Sequence, residues 1–125
     1  MNMLLTGLII SDYVFAIDCQ NQQTQTDITQ CASSELSVET ARINKAYNEL
    51  TAKLYPTPRQ KIKEVQLAWI KYKDLACKFE ASGAQGGSAY ASVLSVCLVE
   101  KTKQRSKELE ALGNCKEGDL GCPIQ

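Results

Sequence analysis

Six cysteines, Cys19, Cys31, Cys77, Cys97, Cys115 and Cys122, constrain this 125-residue chain more than any other feature. The count is even and no pair has CxxC spacing, so three disulfides fit better than a four-thiolate zinc site or thioredoxin-type redox chemistry. Cys77 and Cys97 each lie ten residues from Gly87. If the chain folds back around that glycine as two helices, the two sulfurs come abreast and the pairing Cys77–Cys97 follows. Sequence proximity then suggests Cys19–Cys31 and Cys115–Cys122, with Cys19 or Cys31 reaching the tail as the alternative.

The apolar pattern says what those bridges brace. Ile28, Ala32, Leu36, Ile43, Tyr47, Leu50 and Leu54 recur mostly three or four residues apart, which predicts one long amphipathic helix beginning near Thr26. The run Tyr55-Pro56-Thr57-Pro58 interrupts it, and Thr57 as N-cap with Pro58 at the first helical position starts a second helix. Its stripe, Ile62, Val65, Trp69, Tyr72, Ala76 and Phe79, has the spacing of a seam packed against near-antiparallel neighbours. Residues 82–88 carry Gly83, Gly86 and Gly87 and form a glycine-rich loop. A third helix runs from an N-cap at Ser88 through Thr102, Arg105, Leu109 and Leu112 to a C-cap at Gly113. No strand-like alternation occurs. The expected fold class is all-α, an antiparallel three-helix bundle with disulfides.

The N-terminus indicates the compartment. Residues 4–10 are apolar, and Val14 and Ala16 occupy positions minus three and minus one of a signal-peptidase site. Met1, Asn2 and Met3 carry no positive charge, a departure from the usual signal pattern. The apolar run is far short of the roughly 20 residues a membrane span needs. The chain is expected to divide into a signal peptide (1–16), a helical domain (17–113) and a cysteine-containing tail (114–125), and to be periplasmic or secreted. Asp18 ahead of Cys19 argues against a lipidation site.

Charge and composition remove whole classes of activity. Lys plus Arg equals Asp plus Glu at 14 each, and only Asp12 is lost with the signal, so nothing draws the chain to nucleic acid by bulk charge. There is no histidine. That excludes Ser-His-Asp and Cys-His nucleophile systems, histidine general bases and imidazole metal sites. Glu64, Asp74 and Glu80 are the carboxylates nearest to a glycosidase pair, but helical spacing gives no two of them a common cleft. Asp74 and Lys78 have the spacing of an i,i+4 ion pair. Trp69, Tyr72 and Phe79 read as core. The chain is expected to be no enzyme, with no cofactor and no metal.

The glycine loop remains as a place for function. It lacks the preceding strand and the Gly-Lys-Ser/Thr ending of a phosphate-binding loop. As a recognition loop it is better placed, because a bridge at its base orders it in advance and reduces the entropy lost on binding.

Taken in order, Thr24-Gln25, Cys31-Ala32, Ile43-Asn44 with Tyr47 and Leu50, Val65-Gln66, Ala68-Trp69-Ile70, Tyr72, Asp74, Cys77, Phe79-Glu80, Gly86-Gly87-Ser88, Cys97-Leu98, Thr102, Arg105 and Leu109 resemble the LprI-type lysozyme inhibitor family. The resemblance runs from about Cys19 to Leu112. Lys73 stands where the family usually has Arg, and Cys115 and Cys122 lie beyond the shared region. The resemblance implies a helical, disulfide-bonded periplasmic or extracellular protein whose partner is a lysozyme-type glycoside hydrolase. Steric blockage of such an enzyme assigns partner binding to Lys78, Gln85, Gly86, Gly87 and Ser88. The alternative is an envelope structural or interaction protein that binds another protein through a helical face.

Overall fold

The computed structural model describes residues 19, 24–116 and 118–124; the expected signal peptide, 1–16, lies outside them. Three helices, α1 (Gln25–Ala52), α2 (Pro56–Glu80) and α3 (Tyr90–Gly113), run in sequence, with a short 3-10 turn at Ser82–Ala84 between the last two. Three disulfides join Cys19 to Cys31, Cys77 to Cys97 and Cys115 to Cys122, with Cα separations of 5.4, 5.5 and 5.6 Å.

Local chemistry sets the helix ends. Thr24 is extended, and its Oγ1 accepts the Asp27 N–H at 3.0 Å, with the Asp27 carboxylate favourably placed on the positive end of α1. Helix α2 starts two residues earlier than the sequence suggested: Tyr55 is the N-cap and Pro56 takes the first helical position. Both prolines fit there because the first-turn N–H groups have no intrahelical acceptor to lose. Arg59, one turn on, donates to the Thr51 and Leu54 carbonyls at 3.2 and 2.8 Å and so closes the C-terminus of α1. Helix α3 starts without Ser88 as a cap. Instead Tyr90 N–H bonds to Gly87 O, winding the loop into the helix, whose N-cap is Ala89. Gly113 is the last helical residue, one short of the cap at Asn114.

Helices α1 and α3 lie parallel along each other. Gln25 Nε2 donates to Ser92 Oγ at 2.8 Å, Lys103 pairs with Glu35 at 3.6 Å, and Arg42 grips Glu110 with two hydrogen bonds of 2.8 and 3.0 Å. Ala32 and Ala46 of α1 and Ser92, Thr102 and Ser106 of α3 are small and all buried, which lets the two backbones approach closely. The main apolar cluster is Ile43, Ala46, Leu50, Leu54 and Leu109, with Ile62, Trp69, Leu112 and Ile124 packed on it. Ile124 belongs to the tail, which the Cys115–Cys122 bridge folds back over the end of the bundle.

Helix α2 runs antiparallel to both others and rests mainly on α3, through Cys77–Cys97, Glu80 to Lys101 (2.9 Å) and Gln66 to Arg105 (3.1 Å). Its rotation differs from the expected seam. Trp69 is packed inward, but Tyr72 and Phe79, read from the sequence as core, are 61% and 79% exposed, and Val65 is 49% exposed. The Cys77–Cys97 bond accounts for the change, since it sets Gln66, Cys77 and Glu80 of α2 against α3 and leaves Tyr72 at the margin of that contact, its ring centre 5.8 Å from Lys101 Nζ of α3.

Candidate functional site

The loop between α2 and α3 is a ladder of tight turns. Ala84 N–H bonds to Ala81 O, Gln85 to Ser82, Gly87 to Ala84 and Tyr90 to Gly87, at 3.0 to 3.3 Å. Ser82 Oγ donates to Phe79 O at 2.6 Å, fastening the loop to the last turn of α2. Two glycines are required by this path. Gly86 has φ +85°, which side chains other than glycine adopt at a cost, and a Cβ on Gly87 would lie 3.3 Å from Ala84 O. At the base, Cys77 and Ala81 are fully buried, so the loop stands on a fixed foot.

Gln85, Gly86, Gly87 and Ser88 are all exposed, as is Lys78 in the last turn of α2, where its charge complements the helix dipole. The fold thus brings these five residues to one end of the bundle. They offer an amide, a hydroxyl and a cation, a set able to hydrogen-bond acidic or polar groups of another protein. Asp74, expected to pair with Lys78, lies instead 3.8 Å from its neighbour Lys73.

A second feature was not foreseen. Because α2 leans on α3 and stands off α1, a groove of about 370 Å³ opens between α1 and α2, lined by Ile43, Tyr47, Leu67, Trp69 and Ile70 with Lys63 on its rim. Lys73 Nζ lies 5.0 Å from the centre of the Trp69 ring, within cation–π range. The signal in the sequence was an excess: α2 carries more large apolar residues than one inward face can use.

Elsewhere the charges are structural. The Arg42 guanidinium, hydrogen-bonded to Glu110, holds that carboxyl below the usual glutamate range, and the same contact raises Arg42. Glu80 likewise raises Lys101. Among the described residues, the one cluster with metal-ligand spacing is Cys19, Cys31 and Glu35, and its two sulfurs are bonded to each other. No described helix is long and apolar enough to cross a membrane.

The fold and loop define a class, a small helical domain braced by disulfides that carries its exposed polar loop on a rigid base. Within that class the chain belongs to the LprI lysozyme inhibitor family, whose description, "Lysozyme inhibitor LprI", matches residues 17–109. It is also 31% identical over 108 residues to an uncharacterized protein of Rhizobium meliloti (strain 1021), an alignment covering 76% of this chain and 78% of the relative. No solved structure matches the chain.

Proposed function

We propose that this protein is a periplasmic or secreted inhibitor that blocks a peptidoglycan-cleaving lysozyme sterically, without chemistry of its own. Family membership supports the class of target. The observation that carries the mode of action is the exposed loop, Gln85 to Ser88, anchored at its foot by Cys77–Cys97. Three disulfides suit an oxidising compartment. A glycosidase cleft of this kind holds two carboxylates, and an inserted loop with amide, hydroxyl and ammonium donors matches that charge while excluding the glycan. Pre-ordering by the turn ladder limits the entropy lost on docking.

Gly87→Asp tests the assignment. A carboxylate there faces the acidic cleft, so a folded variant should lose inhibition by at least tenfold, about 1.4 kcal/mol. Gln85→Glu, which spares the crowded Gly87 position, should weaken inhibition in the same direction. Unchanged inhibition by both folded variants removes the loop from the interface. The exposed apolar side chains of α2 favour a second reading, in which a helical face binds an envelope protein; a chain that leaves lysozyme fully active at large excess would put that reading first.

A further inference from the structure

Helix α2 has an inner face, Ile62, Gln66, Trp69, Lys73 and Cys77, turned toward the bundle, and a second apolar stripe that stays exposed among the described residues, with Lys101 Nζ of α3 at 5.8 Å from the Tyr72 ring centre beside it. Val65, Ala68, Tyr72, Leu75 and Phe79 follow one another at intervals of three, four, three and four residues, and all five are exposed. This is the a/d repeat of a helix–helix seam, continued over two heptads on the solvent side. Isolated exposed apolar residues are ordinary, but a stripe held in this register is what packing against another helix requires.

We propose that the stripe is a homodimer interface, in which α2 packs antiparallel on α2 of a second copy about a two-fold axis near Tyr72. Two properties of the sequence select a second copy in that orientation. Centred on Tyr72, the antiparallel pair sets Val65 against the partner's Phe79 and Ala68 against the partner's Leu75, so away from the axis, where Tyr72 meets its own mate, each larger side chain meets a smaller one. The position flanking the seam is held in successive heptads by Glu64, Lys71 and Lys78, all exposed. In an antiparallel pair the same flank of both copies meets, and Glu64 comes level with the partner's Lys78, twice by symmetry. The cost is Lys71 near its own mate at the axis. A parallel pair instead stacks Phe79 on Phe79 and Ala68 on Ala68, and sets the charged flank against Trp69 and Ala76, where no charge answers it.

The area is adequate for a reversible dimer. Val65, Tyr72, Leu75 and Phe79 from two copies supply on the order of 1,000 Å² of accessible surface, the lower edge for a specific interface. Pairing places the two glycine loops at opposite ends of the dimer and leaves Gln85 to Ser88 uncovered. The proposal therefore does not depend on the inhibitor reading, and Lys78 is the residue common to both surfaces.

Sedimentation equilibrium of the oxidised protein from low micromolar to submillimolar concentration tests it. The expected result is a monomer–dimer equilibrium that Tyr72→Glu shifts to monomer with the helical circular dichroism retained. Glu64→Lys, an exposed substitution that leaves the fold alone, should weaken the dimer roughly tenfold by turning two attractive pairs repulsive. Adding Lys78→Glu to Glu64→Lys should restore it. A wild-type chain that is monomeric throughout the range overturns the proposal, as does a dimer indifferent to Tyr72→Glu. Failure of the double exchange to restore pairing overturns the antiparallel geometry.

Discussion

Gly86 shows how a single residue fixes the loop. Its φ of +85° lies in the left-handed region, where a Cβ costs about 1 to 2 kcal/mol. Gly86→Ala is accordingly expected to lower stability by about 1 kcal/mol in chemical denaturation and to loosen the loop, with inhibition falling alongside. Leu109, fully buried where α3 meets α1, belongs to the opposite extreme. Leu109→Ala should cost about 2 to 5 kcal/mol, through lost burial and the cavity it leaves. Glu110 carries the pH dependence. Its carboxyl is held low by the Arg42 hydrogen bond, so the stability it contributes is present above the ordinary glutamate value of about 4.3 and is lost as pH falls below it. Glu110→Gln should lower stability at neutral pH and flatten the acid limb of a stability–pH profile. A variant whose acid limb matches wild type would show that the contact carries no such linkage.

Among the elements, the three helices were legible because their apolar spacing and loop residues agreed, and the symmetry of Cys77 and Cys97 about Gly87 located the turn between α2 and α3. Helix starts were less legible. Thr57-Pro58 and Tyr55-Pro56 are both acceptable openings, and the first-turn donors that would distinguish them are unpaired in either case. The rotation of α2 was hidden for a different reason. Two interleaved stripes, 62/69/76 and 65/72/79, are equally regular in sequence, and the choice between them depends on a cross-link to α3 that periodicity does not encode. The candidate loop could be read from its glycines. The groove beside Tyr47 and Trp69 could not, since it exists because α2 stands away from α1. At this scale Cys77→Ala/Cys97→Ala should destabilise the domain by roughly 3 kcal/mol in thermal or denaturant unfolding. It should also free α2 to rotate, which the emission of Trp69, the sole tryptophan, would report. Emission identical to wild type would mean that packing alone sets the rotation.

The whole molecule is a nearly neutral, disulfide-braced bundle with two notable surfaces, the polar loop at one end and the apolar stripe along α2, which adjoin at Lys78. Neutrality bears on how it meets a target. With no net charge to steer the encounter, association with a lysozyme should change little in rate between low and physiological salt; a steep fall would point to a local charged patch as the driver. The most direct measurement is a titration of lysozyme activity on a cell-wall substrate with the oxidised protein, using reduced, alkylated protein as the control. The account predicts loss of activity that saturates near one chain per enzyme and disappears when the disulfides are opened. Full lysozyme activity at large excess, across several lysozyme types, would contradict it.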